Sequence, residues 1–164
     1  MSVIDESTKD SILSSVSSKN AVVVETNKNL TSTLTNADTT EKKTTSQVEG
    51  IKFNWLEIGA YGNGMQMRTK DGKSSTIENE DKLPGAIQQI KIGIHEGKAG
   101  YANEHALNFY VGDSAEVDKG TIVWNTEKDV TEYTLDVEIE NCTYFKMVHG
   151  TTYSLYIDYI ELVF

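Results

Sequence analysis

The chain has 164 residues, 38% of them hydrophobic, and a formal net charge of −10. That length accommodates one globular domain of ordinary size with an appendage, and so acidic a surface repels phosphate, which excludes nucleic acid and anionic membrane as partners. The single cysteine, Cys142, excludes an intrachain disulfide and a cysteine-based zinc site within one chain.

Residues 1–50 hold 18 Ser and Thr, no aromatic and no Pro, and their first Gly is Gly50. They carry about −2 of the charge and residues 51–164 about −8. A flexible linker is normally broken by Gly or Pro, whereas this segment is unbroken but intrinsically poor in helix formers. Leu13, Asn20, Asn27 and Leu34 recur every seven residues, and Val16, Val23, Leu30 and Ala37 form a second set offset by three. Together they describe the a/d seam of a coiled coil, with buried Asn fixing register and oligomeric state. The oligomerisation residues expected on this basis are Leu13, Val16, Asn20, Val23, Asn27, Leu30 and Leu34. The alternative is an extended tail in which Val22-Val23-Val24 forms a short β segment. No basic stretch followed by an apolar run opens the chain, so export by a signal peptide is not expected.

After Gly50 the period changes to two. Ile90, Ile92 and Ile94 share one face, as do Leu107, Phe109 and Val111, then Tyr133, Leu135, Val137 and Ile139, then Tyr153, Leu155, Ile157 and Tyr159. Asp71-Gly72, Leu83-Pro84-Gly85, Gly97-Lys98, Gly112-Asp113 and His149-Gly150 punctuate these runs as turns. The pattern predicts an all-β, jelly-roll-like β-sandwich of eight or nine strands over 51–164. It is carried on an N-terminal helical, coiled-coil or extended stalk over 1–50. Alternation slips phase between Trp55 and Leu56 and again at Tyr159-Ile160, the sign of a bulge or of a strand bending from one sheet to the other. Trp55 and Trp124 are expected in the core.

The order of short motifs from Gly62-Asn63-Gly64-Met65-Gln66-Met67-Arg68, through Leu83-Pro84-Gly85-Ala86-Ile87 and Leu107-Asn108-Phe109-Tyr110-Val111-Gly112, to Tyr144-Phe145-Lys146-Met147 and Ile157-Asp158-Tyr159-Ile160-Glu161-Leu162 resembles the jelly-roll, carbohydrate-binding-like modules of secreted bacterial proteins. The resemblance covers nearly all of 51–164 and implies the fold. Its motifs are structural, so function does not transfer with them. Those modules stand behind a signal peptide and a catalytic domain. A sandwich tip on a short stalk, without either, looks like a bacteriophage fibre or decoration protein.

No catalytic set is legible. His95, His105 and His149 lack metal-ligand spacing and each adjoins a turn, which predicts exposed loop histidines. Cys142 reads as a small packed side chain with no base at a recognisable spacing. The Gly112–Asp118 loop gathers hard oxygen ligands but matches no calcium motif, so neither metal nor cofactor is expected. Glycan recognition requires exposed aromatics beside amides or carboxylates. Two loops offer this: Tyr61 with Asn63, and Tyr101 with Asn103, Glu104 and His105. The sequence therefore predicts a non-enzymatic virion protein, a homo-oligomer with a trimer favoured over a dimer. It would dock on other virion proteins through the N-terminal segment and display the sandwich to host surface glycans. The alternative is a carbohydrate-binding module of a secreted bacterial protein.

Overall fold

The computed structural model describes residues 21–25, 43–56, 58–60, 65–150 and 153–164. The described residues form strands and turns only, in the order β1 (Ala21–Glu25), β2 (Lys43–Val48), β3 (Ile51–Leu56), β4 (Gly59–Ala60), β5 (Met65–Met67), β6 (Thr69–Lys70), β7 (Lys73–Ser74), β8 (Thr76–Asn79), β9 (Gln89–Ile94), β10 (Asn103–Gly112), β11 (Gly120–Thr126), β12 (Glu132–Asp136), β13 (Tyr144–His149) and β14 (Leu155–Val163). One sheet runs β12-β9-β14-β5-β4, with β1 also paired to β14; the other runs β11-β10-β13-β8-β3-β2. Every pairing in both sheets is antiparallel.

Alternation along each strand explains the sandwich. Ile90, Ile92 and Ile94 of β9 and Leu155, Ile157, Ile160 and Leu162 of β14 face Phe53, Trp55, Phe109, Phe145 and Met147 from the other sheet in one continuous core. Trp55 is fully buried and Trp124 nearly so, as expected. Trp124 meets Tyr133 edge-on at 4.7 Å, closing the core where strands β11 and β12 flank it. Leu83 and Ile87, from the connection between β8 and β9, are also core residues; the amide of Leu83 bonds the carbonyl of Thr143 and that of Ile87 the carbonyl of Cys142.

The phase slips have the anticipated cause. β3 belongs to one sheet and β4 to the other, so the chain changes sheets between Leu56 and Gly59. In β14 the register against β9 shifts between Ile157 and Tyr159. Asp71-Gly72 forms the two-residue turn between β6 and β7, both residues at positive φ, as the mirror-image hairpin turn demands.

The segment before Gly50 departs from the coiled-coil expectation. Val23, placed in the heptad seam, lies in β1, whose alternation buries Val22 and Val24 and leaves Val23 41% exposed. β1 is hydrogen-bonded to the last strand from Ala21↔Val163 to Glu25↔Tyr159. Gly50 does not separate β2 from the sheets: Glu49 and Gly50 both take positive φ and close a two-residue hairpin between Val48 and Ile51. Leu13, Val16, Asn20, Asn27, Leu30 and Leu34 lie outside the described residues.

Candidate functional site

At one end of the sandwich the β9–β10 crossing and the β13–β14 connection meet. β9 ends at Ile94, and a tight turn follows in which the amide of Lys98 bonds the carbonyl of His95, with Gly97 at positive φ in the third position. The chain then crosses to the other sheet through Tyr101 and enters β10 at Asn103. There the pairing with β11 is interrupted between Asn103 and Leu107. Thr126 anchors the crossing: its Oγ1 accepts from the Asn103 amide at 3.0 Å and donates to the Tyr101 carbonyl at 3.4 Å.

The second segment is laid onto that interruption. The Gly150 amide bonds the Ala106 carbonyl, and a Cβ at position 150 would overlap the His105 carbonyl oxygen and crowd Asn108 Nδ2. Only glycine allows so close an approach. His149, expected as an exposed loop histidine, is 2% exposed. Its Nε2 donates to the Tyr153 carbonyl at 2.6 Å and its Nδ1 accepts from Thr69 Oγ1 at 2.9 Å, which defines the neutral Nε2–H tautomer. Burial pushes its pKa down, partly opposed by the bond to Tyr153.

These two anchors bring Tyr101 and Tyr153 together. The rings stack with centroids 5.6 Å apart and planes 13° from parallel. They are 69% and 57% exposed, so two aromatic faces stand in water on backbone that is held from beneath. Beside them lies a narrow cleft lined by Ile94, Lys98, Asn103, Thr126, Glu127 and Ser154 together with Tyr101. Lys98 Nζ sits 4.9 Å over the Tyr156 ring, whose hydroxyl accepts from Gln66 Nε2 at 2.7 Å. The amide of Glu127 bonds the Tyr133 hydroxyl, which fixes the start of the β11–β12 connection.

Of the residues expected to recognise a glycan, Tyr101 and Asn103 are brought to this cleft. Glu104 and His105 are exposed on the irregular part of β10, His105 at positive φ, and do not line it. Tyr61 and Asn63 lie outside the described residues. Alternation puts Tyr153 on one face with Leu155, Ile157 and Tyr159; in the structure it precedes β14 and is exposed. Gly150 just before it and Ser154 just after were the available signals of a loop.

Other polar groups are accounted for locally. His95 Nδ1 lies 2.7 Å from Asp158 Oδ1. Lys119 Nζ lies 2.9 Å from Asp113 Oδ2 in the acidic loop after β10, and this hydrogen bond holds the Asp113 carboxyl below its ordinary range. Cys142 is buried, and desolvation pushes its thiol pKa up, against a nucleophilic role. Among the described residues no three His, Cys, Asp or Glu side chains gather as metal ligands.

The His149 geometry carries a stability prediction. The unfolded chain takes up a proton near pH 6.5 while the folded chain resists it, so stability is complete above that pH. It is lost as the pH falls from about 6.5 towards the lower folded value, by at most about 1.4 kcal/mol per pH unit. Urea denaturation at pH 7.5 and 5.5 measures this. His149→Gln should lower stability at pH 7.5 yet flatten the loss between the two pH values, and an unchanged slope would refute the assignment.

No family model and no curated protein matches the chain. Among solved structures, the chain is similar to a low-affinity xylan-binding module, CBM86, of the gut symbiont Roseburia intestinalis. That match has 10% identity over 87% of this chain and 93% of the other, with a TM-score of 0.36. It is also similar to BiXyn10A CBM1 in its apo form, at 18% identity over 87% of this chain and 96% of that one, with a TM-score of 0.34. Both superpositions are loose, and no residue role is carried across from either.

Proposed function

We propose that this chain is a non-catalytic glycan-binding module whose contact surface is the Tyr101–Tyr153 platform and the cleft beside it. The observation that carries the reading is the exposed, stacked pair itself. Leaving two aromatic faces in water forgoes the free energy that burying them would return. Sugar rings present apolar C–H faces rimmed by hydroxyls, so such a platform beside an amide, a hydroxyl and a carboxylate suits them. Asn103, Ser154 and Glu127 supply those groups. The fibre reading needs an N-terminal segment ordered by other chains, whereas the described part of that segment pairs with this chain's own β14 and β3. This favours a carbohydrate-binding module of a secreted bacterial protein over a virion fibre.

Affinity electrophoresis and calorimetry against soluble xylan, mixed-linkage β-glucan and mannan provide the test. At least one polysaccharide should retard the wild-type chain. Tyr101→Ala and Tyr153→Ala should each weaken that interaction by about 1–3 kcal/mol, the covered ring area plus its stacking, with the thermal transition preserved. Retardation that survives the double substitution would rule out this platform.

A further inference from the structure

Asn103 is 6% exposed and lines the cleft beside the tyrosine pair, yet its side-chain Oδ1 has no hydrogen-bond partner among the described residues. Its backbone amide is already committed to Thr126. A buried acceptor left unpaired is costly, and native structures pair such atoms with the protein, with water or with a ligand. The cleft has room for the centre of a water-sized group over about 10 Å3, which is the space of one water or one hydroxyl and far less than a sugar ring.

We propose that Asn103 Oδ1 is the specificity-determining acceptor of this site. A ring lies on the outer face of the stacked Tyr101–Tyr153 pair and lowers a single hydroxyl into the cleft, where its O–H donates to Asn103. The ligand class is thereby narrowed to neutral sugars with a free hydroxyl at the ring edge. An uncharged amide oxygen asks for a donor and offers nothing to a carboxylate or sulfate. Glu127 offsets the Lys98 ammonium in the cleft lining, and the net charge of −10 disfavours anionic sugars further. In the free protein one water occupies the position, and the incoming hydroxyl reproduces its bond on displacing it. This inference rests on the glycan-binding reading and deepens it.

Two measurements on the unmodified full chain test it. A high-resolution crystal structure of the free protein should show an ordered water about 2.7–3.2 Å from Asn103 Oδ1 on the cleft side. A protein donor paired with that oxygen instead would overturn the proposal. NMR titration with methyl β-xyloside, methyl β-glucoside and their singly deoxyfluorinated series then finds the hydroxyl, because fluorine keeps the size and removes the donor. Substitution at one ring position should weaken binding about 5- to 150-fold, the cost of stranding a buried acceptor, and the others should change it little. Equal weakening at every position would overturn the role of Asn103 while leaving the aromatic platform intact. If neither parent glycoside shifts the Tyr101 or Tyr153 resonances, the glycan-binding reading falls and this inference falls with it.

Discussion

A chain beginning at Ile51 should fail to fold cooperatively. Truncation there removes β1 and β2 and with them Val22, Val24 and Val48, which are 2%, 1% and 7% exposed. A fully buried valine contributes about 1.5–3 kcal/mol, so the three together contribute about 5–9 kcal/mol. That is the size of the whole stability of an ordinary domain, about 5–15 kcal/mol. The loss also strips one of the two partners from β14 between Tyr159 and Val163, leaving only β9 there, and leaves β3, which carries Phe53 and Trp55, as a bare edge. Circular-dichroism melting of residues 51–164 should show a broad or absent transition, and a melt matching the full chain would show the two strands to be dispensable. Single substitutions separate strand from helix more sharply, because the two readings rank the valines oppositely. Val24→Lys should cost several kcal/mol, since it forces an ammonium among apolar side chains. Val23→Lys places its charge outside, directly across from Glu161, and should be neutral or slightly stabilising. A coiled-coil seam through Val23 requires the reverse order.

The second large effect is expected at Asn79, which is 3% exposed at the end of β8. Its Oδ1 accepts from the Phe145 amide at 2.8 Å, and its Nδ2 donates to the carbonyls of Asp81 and Thr143 at 2.9 and 3.0 Å. One side chain thus pairs three backbone groups where the chain leaves one sheet and β13 begins. Asn79→Ala strands the buried Phe145 amide, while the Thr143 carbonyl keeps the Leu83 amide and Asp81 is exposed, so the loss should be about 1–3 kcal/mol. Asn79→Asp keeps the acceptor for Phe145 but sets a carboxylate against two carbonyl oxygens. That substitution should be most harmful at neutral pH and recover in part as acid protonates the new carboxyl, because the protonated form can donate to one of them. Urea denaturation at pH 7 and 4.5 reads both effects. A midpoint within experimental scatter of the wild type at pH 7 would show that water replaces these bonds without cost.

Much of the architecture was legible because it is governed by local rules. A period of two repeated along the chain allows only strands. Asp71-Gly72 marks a hairpin turn since its geometry needs two residues at positive φ. The slips at Leu56 and Tyr159 lie where the chain changes sheets and where β14 is irregular, since a strand cannot reverse its buried face without an extra residue or a bend. Half of the candidate site was legible on the same terms: Tyr101 falls outside any alternating run and sits among Gly, Asn and Glu.

Three features were decided by tertiary contacts. β1 and β2 are short, β2 is largely polar, and five or six residues with one or two buried valines carry too little periodicity to outweigh a heptad pattern spread over thirty. Their strand character comes from unpaired backbone waiting on β14 and β3. Tyr153 has the spacing of a core residue, but β14 starts only at Leu155 and Tyr153 is 57% exposed, stacked on Tyr101. His149 adjoins a turn like its two counterparts, yet it is buried because the β6–β7 hairpin supplies Thr69 and the following loop supplies the Tyr153 carbonyl. Composition and alternation, acting through neighbours in the chain, therefore determined that this protein is a β-sandwich and that its tryptophans lie inside. That β1 completes one sheet and which two tyrosines meet in water depended on partners fifty or more residues away, and spacing within one strand carries no record of them.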